Sequence, residues 1–156
     1  MGWCIGYDID WKRDVGYGVP AICDHPDCNE EIDRGLSYVC GGEPYGGEYG
    51  CGLFFCDDHL IYHGKRGRVC EACADHRKKP FKPKVDHIEW IKHKLIDESW
   101  EQWRKENTVE VMKMEELVNE ETHRIEREIN QQIKKVILKC NEAQSRSRVI
   151  ASQLWI

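Results

Sequence analysis

Between positions 23 and 73 seven cysteines and one histidine fall in spaced pairs. The centre of this stretch is CGLFFCDDHL (51–60), which reads as a short apolar strand, Leu53-Phe54-Phe55, running into Cys56-Asp57-Asp58-His59. Two ligand-type residues three positions apart at a strand end can bend onto one ion. Cys23-x4-Cys28, then Cys40 and Cys51, lie upstream or at its start, and Cys70-x-x-Cys73 lies downstream. Eight such residues within about fifty positions suit two tetrahedral zinc sites. A chain carrying this set must fold around it.

Nine cysteines in all is an odd number and fits a disulfide framework poorly. The opening MGWCIGYDIDWKRD has no basic start followed by an apolar run, and position 6 is Gly where a myristoylation signal has Ser or Thr. No run approaches the roughly 18 apolar residues of a membrane span. The expected compartment is the cytoplasm, where thiols stay reduced and clustered cysteine favours metal. Cys4, far from the pairs, reads as a small buried hydrophobe.

The net charge of −5 is strongly segregated. Residues 1–62 carry three Lys/Arg against twelve Asp/Glu, a net of −9; residues 63–84 carry eight against two, a net of +6. Residues 85–128 have seven against thirteen, and 129–156 five against one. Such blocks can pair with one another or select a partner by complementary field.

Residues 1–22, rich in Gly and aromatics, read as extended segments covering the metal domain. The domain itself spans 23–80. Within it LSYVC (36–40) and GLFFC (52–56) read as strands, the glycine-rich 41–50 as a long loop, and GRVCEACADHRKK as a turn into a short helix ended before Pro80. FKPKV (81–85) is the expected linker. Asp86 with Glu89 forms a capping box, with Val85 and Trp90 as a staple, and predicts a helix over 86–106. Ile88, Ile91, Leu95, Ile96, Trp100 and Trp103 give it a broad apolar face that suits packing on a domain. Asn107 with Glu110 is a second capping box and predicts a kink or break.

From Val111 a narrower apolar stripe runs to Leu154, with twelve steps across 43 residues, about 3.58 per step. Its seam includes Val118, Ile125, Ile129, Ile133, Val136, Cys140, Ile150 and Leu154. Residues 108–155 contain neither Gly nor Pro and would make a rod of roughly 70 Å. A lone rod cannot bury its stripe, so the expected partner is a second copy of 107–156, paired as a coiled coil. A folded-back helical hairpin is the alternative, and the absence of breakers argues against it.

In ligand order the pairs are Cys23/Cys28, Cys40/Cys51, Cys56/His59 and Cys70/Cys73. This order resembles the cross-brace of RING, B-box and stress-associated zinc fingers, and Cys51-x4-Cys56-x2-His59 resembles the central ligand run of the last. The resemblance covers residues 23–76 and rests on ligand spacing; the gaps after Cys23 and after Cys40 are longer than usual. It implies Cys23, Cys28, Cys56 and His59 around one zinc, and Cys40, Cys51, Cys70 and Cys73 around the other. His63 is the first candidate to replace a cysteine; His25 and His76 are expected beside the ligands or in solvent. Zinc domain followed by coiled coil is also the plan of the tripartite-motif adaptors. The run GYGVPAICDHPDCNEEIDRGLSYVCG is similar to uncharacterised small bacteriophage proteins, which implies a regulator or inhibitor of a host or viral machine.

The expectation is therefore an α+β protein: a small two-zinc, cross-brace or treble-clef-like domain on a long C-terminal helix that dimerises. Four protein ligands per ion leave no position for water or substrate, so the zinc is structural and the chain non-enzymatic. Its expected partners are its own copy and another protein, with no membrane and no small-molecule substrate. The alternative is nucleic-acid binding through Lys65, Arg66, Arg68, Arg77, Lys78 and Lys79. A third reading is a metal-dependent nuclease using Asp57, Asp58, His59 and His63, without a separate His-Asn-His set to support it.

Overall fold

A computed structural model describes residues 5–43, 48–75 and 81–153, with the backbone alone at 142 and 144–153. The chain divides into two units, Met1–Glu101 and Gln102–Ile156. In the first, β1 (Gly6–Asp8) and β2 (Arg13–Ile22) form a hairpin, and β3 (Glu31–Arg34) pairs with the other side of β2. The hairpin turn is set by Asp8, whose buried carboxylate accepts the backbone N–H groups of Asp10 and Trp11. The β2–β3 register shifts between Gly16 and Pro20, where a proline without an N–H is tolerated. The N-terminal segment is thus two strands of a three-stranded antiparallel sheet.

β2 ends at Ile22 and β3 begins at Glu31, so the Cys23–Cys28 turn is the loop joining them. The expected strands at 36–40 and 52–56 reduce to a single antiparallel bridge, Val39 to Phe54. Cys40 N–H donates to the Leu53 carbonyl and Phe55 N–H to that of Tyr38, both at 2.8 Å. A 3-10 turn, Asp57–His59, leads into β4 (Ile61–Tyr62), which pairs with β5 (Arg68–Val69). Cys70 then immediately precedes α1 (Glu71–Ala74).

Cysteine takes the place of aliphatic residues in the core. Cys23, Cys40, Cys56 and Cys70 are buried together with Leu53, Phe55, Leu60 and Val69. A smaller cluster of Val15, Val39 and Phe54 lies beside the sheet. Aliphatic and aromatic side chains this few make a small hydrophobic core for a unit of this length.

The segment expected as a free linker is fastened down. Phe81 packs against the cysteine core, Lys84 N–H donates to Asp24 at 2.8 Å, and Lys84 Nζ donates to the Cys28 carbonyl. The single helix expected over 86–106 is two. α2 (Ile88–Ile96) starts at a different cap: His87 accepts from Glu89 N–H, while Asp86 pairs instead with Arg34 at 2.6 Å. It stops at Asp97, whose carboxylate accepts from Ser99 N–H and opens a 3-10 turn, Glu98–Trp100, before α3 (Glu101–Glu106). Of the expected face Ile91 is buried but Ile96 is exposed, as is Val85 of the expected staple; Trp90 and Lys94 are buried beside Ile91 instead. The Lys94 ammonium lies 2.7 Å from Asp14 on β2, and the Trp90 indole N–H donates to the same oxygen at 2.9 Å.

In the second unit, α4 runs from Thr108 to Gln153, 46 residues and roughly 69 Å. The break expected at Asn107 leaves the helical bonding continuous: its N–H reaches the Trp103 carbonyl at 2.9 Å and its carbonyl accepts from Val111 at 3.0 Å. Along α4, Ile125, Ile129, Ile133, Val136 and Cys140 are exposed. The Ile150 side chain and Leu154 fall outside the described residues.

Candidate metal centres

The two clusters are assembled crosswise. The β2–β3 loop supplies Cys23 and Cys28, and the segment after Phe55 supplies Cys56 and His59. The ends of the 41–50 loop supply Cys40 and Cys51, and the start of α1 supplies Cys70 and Cys73. In each group the four ligand atoms lie within 4.8 Å of one another. The eight residues named from spacing are therefore brought together in the same two sets of four.

How Cys40 meets Cys51 across a ten-residue loop is a matter of backbone approach. At the neck of that loop Gly41 takes φ +89° and lies against Gly50. A Cβ on Gly50 would stand 2.2 Å from the Cys40 carbonyl oxygen, far inside any contact a side chain tolerates. Only glycine at this place lets the loop close.

The spacings fit an ion. Cys28 and Cys56 sulfurs are 3.8 Å apart, and Cys51 and Cys70 sulfurs 3.9 Å. His59 Nδ1 is 3.8 Å from Cys23 Sγ and 3.1 Å from Cys56 Sγ. A zinc–sulfur bond of about 2.3 Å puts the sulfurs of a tetrahedral site roughly 3.8 Å apart, whereas a disulfide needs about 2.05 Å. All seven cluster cysteines are free thiols.

Backbone N–H groups point at the sulfurs as well. Cys56 N–H donates to Cys23 Sγ (3.4 Å), Cys70 N–H to Cys40 Sγ (3.2 Å) and Glu30 N–H to Cys28 Sγ (3.5 Å). Such donors favour thiolate, the form that binds metal. Crowding works the other way. Burial pushes the Cys23 thiol up to about 12. In the second cluster hydrogen bonds with Cys51 and Cys70 lower Cys40, while that same contact with Cys40 pushes Cys70 up to about 12. Sulfurs this close resist ionising together. A dication is what would let all four ionise.

The surroundings hold these ligands in place. The His25 ring stacks on His59 with centroids 4.0 Å apart, and Phe81 meets His25 edge-on. His25 thus lies against a cluster residue and belongs to neither group. Trp11 Nε1–H donates to the Cys51 carbonyl at 2.7 Å, tying the β1–β2 turn to the second cluster. His63, the first alternative ligand, is exposed at the start of a 3-10 turn, Gly64–Arg66. His76 and Cys4 lie outside the described residues. Trp11, Asp24 and Lys84 were not legible as supports, because nothing in their local sequence marks the residue each one reaches.

The basic segment is partly committed to the scaffold. Arg66 donates to the Cys73 carbonyl at 3.3 Å, and Arg68 to the Ser37 carbonyl and the Asp57 carboxylate. Arg77, Lys78 and Lys79 fall outside the described residues. Asp57 and Asp58 are exposed, and His59 is turned to the first cluster.

Comparison with known proteins finds no matching family model, no matching curated protein and no matching solved structure. The class that the site defines is a mixed α/β chain with two Cys/His clusters of zinc-finger-like spacing. No helix among the described residues is long and apolar enough to cross a membrane.

Proposed function

We propose that this chain is a non-enzymatic, zinc-stabilised protein-interaction module of the cross-brace type, dimerised through α4. The observation that supports it best is the completeness of both clusters. Each offers four protein ligands at spacings that a tetrahedral zinc site requires, which leaves no coordination position for water or substrate. Zinc then acts as a staple for a unit with little aliphatic core, and activity resides on the surface it holds. The exposed apolar stripe of α4 supports self-association, since a helix this long gains its stability from a packed face. Native mass spectrometry tests both halves at once: two zinc ions per chain and a dimer are expected. One ion per chain, or a monomer, contradicts the corresponding half.

A second reading, nucleic-acid binding, is favoured by the β4–β5 finger, where Tyr62 is 77 % exposed and Lys65, three residues on, is exposed as well. An exposed aromatic and a cation in one short segment suit a base and its phosphate. Salt-dependent retention on single-stranded RNA or DNA, lost in a Tyr62→Ala, Lys65→Ala variant that keeps its zinc, would establish it.

A further inference from the structure

α4 is electrostatically two-ended. Residues 108–128 carry three Lys/Arg against seven Asp/Glu, a net of −4. Residues 129–153 carry five against one, a net of +4. The sign changes at the middle of the helix, so two copies laid antiparallel bring each acidic half onto a basic half.

The edges of the apolar stripe carry the same preference. Glu121 and Glu128 lie seven residues apart on one edge, where Arg124 bridges them at 2.5 and 3.0 Å. Lys135 and Lys139 continue that edge toward the C-terminus. In an antiparallel pair like edges face each other. Centred on the helix midpoint, Glu121 of one copy comes within one residue of Lys139 of the other, and Glu128 within one residue of Gln132 with Lys135 one turn on. The apolar residues match as well: Val118 meets Ala143, and Ile125 meets Val136. In a parallel, in-register pair each edge residue instead faces the opposite edge about five residues on. Glu110 would then face Glu115 and Glu121 would face Glu126, each repulsion occurring twice.

We propose that α4 pairs antiparallel with α4 of a second copy, which sets the N-terminal ends of the two α4 helices, where each chain continues into its metal-bearing unit, at opposite ends of the pair. This rests on the dimer reading above and gives it a direction: the module would bridge two sites held apart rather than present two adjacent copies to one.

A spin label on the face of α4 opposite the stripe provides the test. Glu116 is exposed, two residues from Met114 and from Val118 and so across the helix from both. In the full-length, zinc-loaded Cys4→Ser, Cys140→Ser, Glu116→Cys variant the introduced thiol is labelled with a nitroxide and the spin–spin distance is measured. Antiparallel pairing about the midpoint sets the two labels about twenty-nine residues apart along the rod, roughly 44 Å. Parallel pairing sets them side by side, roughly 20–25 Å apart across the pair. A distance of about 40 Å or more is expected; a short one overturns the orientation while leaving the dimer intact. A monomer by sedimentation, with no dipolar signal, overturns the dimer reading and this inference with it. Charge reversal gives a second readout. Glu121→Lys and Lys139→Glu each weaken the dimer by roughly 2- to 10-fold, and the two together restore it. A Glu121→Lys change that tightens the dimer would overturn the proposal.

Discussion

Asp24, the residue directly after Cys23, takes both terminal nitrogens of Arg13, at 3.1 and 2.9 Å, and both side chains are buried. The same carboxylate accepts the Phe54 and Lys84 backbone N–H groups at 2.8 Å each. One anion thereby ties β2, the bridge strand and the segment leading to α2 to the first cluster.

Asp24→Asn keeps the shape and removes the charge, stranding the Arg13 guanidinium where water cannot reach it. The expected loss is about 3–5 kcal/mol, measured by urea unfolding of the zinc-loaded protein. A loss under about 1 kcal/mol would show that the pair is not buried as described.

Lys94 and Asp14 make a second buried pair, 2.7 Å apart, with the Lys94 ammonium also 4.5 Å from the centre of the Trp100 ring. Lys94→Met leaves Asp14 with the Trp90 indole N–H and no cation, at an expected cost of about 3 kcal/mol. Lys94→Met combined with Asp14→Asn should recover part of that loss. Thermal unfolding of Lys94→Met, Asp14→Asn and the double variant checks the coupling.

The glycine neck makes the second cluster separable from the first. Gly50→Ala drives a methyl group into the Cys40 carbonyl, so the loop must open and Cys51 must leave Cys40. Metal analysis is expected to fall from two zinc ions per chain to one, with Cys40, Cys51, Cys70 and Cys73 becoming reactive to a thiol reagent. Retention of both ions would refute the role given to the neck.

Acid should release the metal. Burial raises the Cys23 thiol, and contact with Cys40 raises Cys70, each to about 12. In the ion-free clusters these sulfurs therefore hold their protons more tightly than an ordinary thiol, and zinc must displace them. Proton and metal compete, so apparent affinity rises with pH and falls as pH drops. Zinc transfer to a chromophoric chelator should quicken steadily from pH 8 to pH 5. A pH-independent rate would argue against thiolate ligation.

The eight ligand-type residues were legible in the sequence because sulfur and imidazole donors with two to ten residues between them have little else to do; their crosswise division into two sets followed from the resemblance to cross-brace fingers. α4 was legible for a similar reason, since a period near 3.6 without breakers permits one structure. The pairing of β1, β2 and β3 was not, because residues 1–22 read only as extended segments and turns, and Gly16, Gly18 and Pro20 break the alternation of a strand in β2. Those residues serve the bulge in its register. The break at Asp97 was also missed. The apolar period runs through it, and only the Asp97–Ser99 hydrogen bond shows that the side chain ends the helix. Lys94 hid for the opposite reason: a lysine reads as solvent-facing until Asp14, eighty residues earlier, is seen beneath it.

X-ray absorption at the zinc edge tests the central claim most directly. The two clusters offer seven sulfurs and one nitrogen, so the averaged shell should consist of sulfur at about 2.3 Å with a minor nitrogen contribution near 2.0 Å. A spectrum of that kind, with two zinc ions per chain, is the predicted result. An added oxygen shell, or a sulfur count well below that set, would mean an open site and would contradict the account.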